Sequence, residues 1–129
     1  MSTPTQSLPV PTPVTAYGGD IAVETAKIAA SASITDAIDL KTKRLTCIQM
    51  PSSWTTANLT FQVSHDGSTW SNLYDAYGNE YTVQAAASRA LLLDLKDFFG
   101  FRYLKIRSGT NASAVNQAAE RELKLICVR

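Results

Sequence analysis

The chain has 129 residues, of which 45% are hydrophobic and 18% charged, with a formal net charge of +1. That length and composition suit one domain around one core and exclude a chain that stays unfolded throughout. No apolar run is long enough for a transmembrane helix (Ala90 to Leu93 is typical), and the start lacks the basic-then-apolar pattern of a secretory signal. The near-neutral total does not point to nucleic acid, and one histidine with two cysteines leaves few parts for a metal site or a nucleophilic triad.

Residues 1–20 read as an extended arm. They hold four of the five prolines (Pro4, Pro9, Pro11 and Pro13) and the pair Gly18-Gly19. Proline fixes φ and lacks a backbone donor, so the stretch favours polyproline-like extension over a place in a core. Leu8, Val10, Val14 and Tyr17 supply apolar contacts. The arm reads either as a passive tail or as a segment that orders against a neighbouring subunit.

Residues 21–129 read as a β domain. Ile28, Ala30 and Ala32 alternate with smaller or polar residues, and Leu59, Phe61 and Val63 alternate with Thr60, Gln62 and Ser64. The same period of two recurs at Leu91, Leu93 and Leu95, at Leu104 and Ile106, and at Leu123, Leu125 and Cys127. Expected strands are 21–33, 43–50, 58–65, 69–75, 80–84, 89–95, 101–107 and 121–128. Turn residues separate them at Pro51-Ser52-Ser53, Asp66-Gly67, Tyr77-Gly78-Asn79, Gly100 and Ser108-Gly109-Thr110-Asn111. About eight short strands at this spacing predict an all-β, antiparallel sandwich or barrel. Asp94 to Phe99 suits one helical turn, and 112–122 suits a long loop. Cys47 and Cys127 fall in separate strands and read as buried thiols that act as small hydrophobes.

Enzyme chemistry finds no support. Ser64-His65-Asp66 has the right residue types, but neighbours in a strand point to opposite faces and cannot align as a triad. His65 has no cysteine or histidine at metal-ligand spacing, and although Asp66, Asp75 and Glu80 could gather at one end of the sandwich, nothing in the sequence shows the convergence of six or more oxygens that a calcium ion needs. No cofactor or metal is expected. The stretch Ser64 to Trp70 reads as a hairpin in which Asp66 caps backbone N–H groups and Gly67 takes positive φ. It differs from the Asp-box of sialidase propellers by one missing residue between Asp66 and Gly67.

Charge is unevenly placed. Residues 1–88 carry 4 basic and 7 acidic side chains, and residues 89–129 carry 8 basic and 4 acidic ones. If the last two strands pair, Lys105, Arg107 and Lys124 share one outward face that would steer association with an acidic partner. Trp54, Tyr74, Tyr77 and Tyr103 are candidate aromatic anchors of a docking surface, with core-edge packing the simpler reading for Trp54 and Tyr103.

Two resemblances add to this reading. Ser64, Asp66, Gly67 and Trp70, followed by Arg102-Tyr103-Leu104-Lys105-Ile106, are similar to the corresponding hairpin and strand of discoidin-like, galactose-binding-like jelly rolls. The order Ile48-Gln49-Met50-Pro51, Trp54-Thr55, Leu59 to Ser64, Leu73-Tyr74-Asp75, Arg102 to Lys105, Ser108-Gly109-Thr110 and Val115-Asn116-Gln117 resembles small head-region proteins of tailed bacteriophages. That likeness spans about residues 25–129. It implies a capsid decoration (cement) protein with a jelly-roll sandwich and an N-terminal arm, made in the host bacterial cytoplasm and resident on the virion surface. Its implied partners are the major capsid protein and further copies of itself, as a dimer or trimer, with no nucleic acid and no membrane. Leu8, Val10, Val14, Tyr17, Lys105, Arg107 and Lys124 are then the expected capsid or self contacts. The alternative is a carbohydrate-binding module or a tail-fibre adaptor, with Trp70, Tyr74 and Tyr77 as the glycan-binding cluster.

Overall fold

The computed structural model describes residues 20–129, with Leu95 described by its backbone alone. Eight strands follow in order: β1 (Ile21–Ile28), β2 (Ile38–Asp39), β3 (Arg44–Gln49), β4 (Leu59–Ser64), β5 (Ser71–Asn72), β6 (Ala90–Leu92), β7 (Tyr103–Ser108) and β8 (Arg121–Val128). They form two antiparallel four-stranded sheets, sheet one in the order β1-β8-β3-β6 and sheet two in the order β2-β7-β4-β5. The chain is thus an all-β sandwich, as its alternating pattern predicts.

The two inner faces make the core. In sheet two, Phe61 pairs with Ile106 and Val63 with Leu104, so the apolar residues of β4 and β7 share one face. Sheet one answers with Ala26, Ile28, Leu45, Ile48, Leu91, Leu123, Leu125 and Cys127, all buried. Face-to-face packing of such surfaces is what removes apolar area from water, at about 25 cal/mol per Å².

In a regular strand Leu45 and Ile48, three apart, would face opposite ways. A register shift between Leu45 and Cys47 against β8 turns both inward. Thr46 absorbs the irregularity, its hydroxyl donating to the Ile126 carbonyl at 3.0 Å while its own carbonyl accepts from Leu93 N at 2.9 Å. The extra residue sends Cys47 to the outer face, beside Ile126. Cys47 is therefore half-buried, unlike Cys127, and both are free thiols.

A 3-10 turn over Leu95–Phe98 closes one end of the sandwich. Asp94 caps it by accepting from Lys96 N at 3.3 Å. The turn delivers Phe98 into an edge-to-face cluster, with ring centroids 5.7 Å from Phe61, Tyr81 and Phe101. The stretch 112–122 is a loop until β8 begins at Arg121, without helix.

The loop before β8 is fixed by Gln117, which is buried. Its amide nitrogen donates to the Thr55 carbonyl at 3.0 Å and to Ser108 Oγ at 2.7 Å. Its amide oxygen accepts from Thr55 N at 2.8 Å and Arg121 Nε at 3.1 Å. Every donor and acceptor position of that side chain is used.

Several strand expectations are corrected. Residues 80–84 form no strand, their backbone making only isolated bridges, from Glu80 to Tyr74 and from Val83 to Leu59. The expected strand 69–75 shrinks to Ser71–Asn72, because the chain leaves β4 after two paired residues. The short β2, which pairs with β7 through Ile38↔Leu104 and Asp39↔Tyr103, is too brief to show a period. The first strand also ends at Ile28, five residues early, and Ser31 takes a positive φ of 64°.

Replacing Gln117 by Leu leaves polar groups of half-buried Thr55 and buried Ser108 unpaired. Urea unfolding followed by circular dichroism is expected to show a loss of roughly 2–5 kcal/mol.

Candidate docking surface

The two outer faces differ in chemistry. On sheet two the outward residues of β4 and β7 are Thr60, Gln62, Ser64, Tyr103, Lys105 and Arg107. Strand β5 and the loops on either side of it bring partners to several of these. Arg107 Nη2 donates to Asn72 Oδ1 at 2.6 Å, and its Nη1 lies 3.4 Å from Glu80 Oε2. Glu80 also accepts from Asn111 N at 3.0 Å, and Thr60 Oγ1 donates to the Gly109 carbonyl at 2.7 Å. Lys105 Nζ lies 4.5 Å from the centroid of the Trp70 ring.

At the edge of this face Ser64 Oγ donates to Asp66 Oδ1 at 3.0 Å and accepts from Gly67 N at 2.9 Å. The same Asp66 oxygen accepts from Thr69 N and Ser68 N, each at 2.8 Å. Those backbone bonds, followed by the Ser64 hydroxyl, hold the Asp66 carboxyl far below the usual range. Ser64 and Asp66 thus build the turn that the hairpin reading expected, and Gly67 takes its positive φ of 81°. Bidentate hydrogen bonds from Arg102, at 2.8 and 2.9 Å, lower the Asp39 carboxyl to about 2, helped by Lys41 N.

On sheet one the outward residues divide into two halves. One half is polar: Thr25, Lys27, Glu122, Lys124 and Gln49, with Lys124 Nζ 2.8 Å from Glu122 and 3.2 Å from Thr25. The other half is apolar. Val23 stands opposite Ile126, Ile126 opposite Cys47, and Cys47 opposite Leu92. One residue from each of the four strands therefore lies in a single row across the sheet. Next to it Ile21 faces Val128, which faces Arg44, whose guanidinium sits 5.1 Å over the Phe99 ring. Leu92 is 87% exposed, Ile21 72% and Val23 59%.

The expected basic face does not form. Lys105 and Arg107 belong to β7 and Lys124 to β8, and these strands lie in different sheets. Arg107 is buried in its network, Lys105 covers Trp70, and only Lys124 stands open, paired with Glu122. Of the aromatic cluster, Trp70 is half-buried beneath Lys105, while Tyr74 and Tyr77 are exposed on the loop after β5. Asp75 shapes that loop by accepting from Tyr77 N and Asn79 N. Trp54 is half-buried, its ring N–H donating to the Ala57 carbonyl at 2.9 Å, and the Tyr103 ring lies under Gly67 and Arg102. Leu8, Val10, Val14 and Tyr17 lie outside the described residues.

No family model matches the chain, and no curated protein matches it. Among the described residues no three His, Cys, Asp or Glu side chains gather as a metal site, and no helix is long and apolar enough to cross a membrane.

The apolar row escaped the alternation rule because it lies where alternation fails. The run Leu125-Ile126-Cys127-Val128 is apolar on both faces, and β1 carries Ile21 and Val23 on one face but Ala26 and Ile28 on the other. Those phase breaks are the signal from which the row is legible.

Two measurements check these placements. Arg107→Ala is expected to cost about 3–5 kcal/mol in urea unfolding, because it strands Glu80 in a half-buried site, whereas Lys124→Ala should stay within about 0.5 kcal/mol. Since Asp39 is held ionised in the fold, its stabilisation is full above its usual value of 3.8 and is lost as pH falls through about 2. Urea midpoints should therefore decline over that window in the native chain and less steeply in Asp39→Asn.

Proposed function

We propose that this protein is a structural component of a phage head, a decoration protein that binds the outer surface of the capsid and stabilises it. The reading rests on the resemblance in sequence to phage head-region proteins. The structural observation that supports it is the outer face of sheet one. That face places an open apolar row beside a polar half in which Lys27 and Lys124 pair with Glu122, and a mix of apolar anchors with flanking charged groups is what a protein interface uses. Four of the charged groups on the loops and β7 are engaged in holding the fold. Asp66 and Asp75 cap turns, and Arg107 and Glu80 bind each other.

The strand order supports a jelly roll as the finer description of the sandwich. Chain connections pass between β1-β8-β3-β6 and β2-β7-β4-β5, except for the β4–β5 hairpin, which stays in one sheet. The partners in this reading are the major capsid protein and further copies of this chain, and the location is the virion surface.

Exposed Tyr74 and Tyr77 favour a second reading, a glycan-binding module on the virion. It is weakened by Lys105, which occupies a face of the Trp70 ring where a sugar would stack.

The full chain, added to heads that lack it, is expected to co-sediment with them and to raise the temperature at which they release their genome. A protein absent from purified virions and from the head pellet overturns the reading. A glycan array with hits that are lost in Tyr77→Ala would turn it toward the second.

A further inference from the structure

We propose that the outer edge of β1 pairs with itself. Two copies of the chain join their β1 strands antiparallel about a two-fold axis at Val23, and their four-stranded first sheets merge into one. The proposal rests on the part of the proposed function in which the chain binds copies of itself, and it gives that contact its edge and its register.

Among the described residues the four sheet edges are unequal. Strands β2 and β5 have two residues each and β6 has three, whereas β1 has eight. Short edge strands are a common protection against pairing, together with proline, bulges and inward charges. Strand β1 contains no proline, and its ladder to β8 runs without a register shift. Its inward charge, Glu24, is neutralised by Lys43 Nζ at 2.8 Å. A cleft of about 240 Å³ separates β1 from Asp36, Ala37 and Ile38, so sheet two does not overhang the edge.

The groups this edge offers follow from its ladder. Arg129 N donates to the Asp20 carbonyl at 3.2 Å, so those two residues are a hydrogen-bonded pair. Bonded pairs alternate in an antiparallel ladder, which commits Ala22, Glu24, Ala26 and Ile28 to β8. Ile21, Val23, Thr25 and Lys27 therefore turn their N–H and C=O groups away from β8, and no other described residue bonds to them. A row of unpaired main-chain groups is a template for another strand, and an antiparallel strand is its own complement about a two-fold axis.

Side chains choose the register. With main-chain bonds from these residues, the axis stands at Val23, Glu24 or Thr25. At Glu24 it sets the two Glu24 carboxylates opposite each other, and like charges so placed destabilise a sheet. At Thr25 it sets Lys27 opposite the partner's Val23, a charge beside the apolar row. At Val23 it pairs Val23 with the partner's Val23 and Ile21 with the partner's Thr25, each pair exchanging both main-chain bonds, and Glu24 stands opposite the partner's Ala22. This register also joins the two apolar rows end to end, from Leu92 through Val23 to the partner's Leu92, and leaves them open outward.

Hydrogen exchange of the free full-length chain, read at single amides by fragmentation mass spectrometry, tests the pairing. A thousandfold rise in concentration, to about 1 mM, is expected to slow the amides of Ile21, Val23 and Thr25 about tenfold, the mark of a dimer populated nine-tenths of the time. Thr25→Pro removes an N–H that β8 does not use, so the monomer keeps its ladder and the slowing at Ile21 and Val23 should disappear. Leu92→Asp, at the far end of the row, should leave the slowing intact. Native amides that exchange at one rate at every concentration overturn the proposal, whether or not the chain binds heads. Slowing at Lys27 without slowing at Ile21 overturns the register. Slowing that is lost in Leu92→Asp and kept in Thr25→Pro overturns the proposal in favour of rows stacked face to face. A dimer paired as expected that fails to bind heads supports the edge pairing and overturns the capsid reading alone.

Discussion

The bonds of one buried amide hold three parts of the chain together. The Gln117 side chain joins the loop after β3, the end of β7 and the start of β8. Its backbone also exchanges bonds with the turn after β1, accepting from Ser31 N at 2.8 Å and donating to the Ala32 carbonyl at 2.9 Å. Strand β8 lies between β1 and β3 in sheet one, so the entry of β8 sets the register of both neighbours. A polar side chain at this depth is costly unless every group finds a partner. Here each does, and the geometry that satisfies them all leaves little freedom for the loops it ties.

From that register follow the two unlike faces. The bulge in β3 turns Leu45 and Ile48 inward and Cys47 outward, which completes the row from Val23 to Leu92. On the other sheet the chain after β4 doubles back over the outer face and closes it with Asn72, Glu80 and Trp70. One face is finished by its own polar contacts and the other is left with apolar surface. The proposed capsid role draws on that asymmetry.

Much of the sandwich was legible in the sequence. Alternation in Leu59 to Ser64 and in Leu123 to Cys127 located the long strands, because a strand buried on one side must repeat every two residues. The hairpin turn at Asp66-Gly67 was legible for a similar reason, since its cap and its positive φ demand particular residues. The brief strands were not. Ile38–Asp39 and Ser71–Asn72 are paired by their neighbours rather than by any pattern of their own. Of the candidate site little was legible, because a shared face depends on which strands sit side by side. Lys105, Arg107 and Lys124 look alike in the sequence, yet Lys105 is stacked on a ring, Arg107 is buried in a network and Lys124 is open to water, according to the neighbouring strands and loops that lie beside each.

The sequence by itself determined the class of the protein. Its period of two and its turn residues predicted an all-β domain, and its prolines set residues 1–20 apart in composition. Only the tertiary structure decided which strands neighbour which. That choice depends on long-range packing and on a bulge one residue wide, neither of which leaves a local trace. It placed β7 and β8 in opposite sheets, dissolved the basic face, and assembled an apolar row from four residues that lie far apart in the chain.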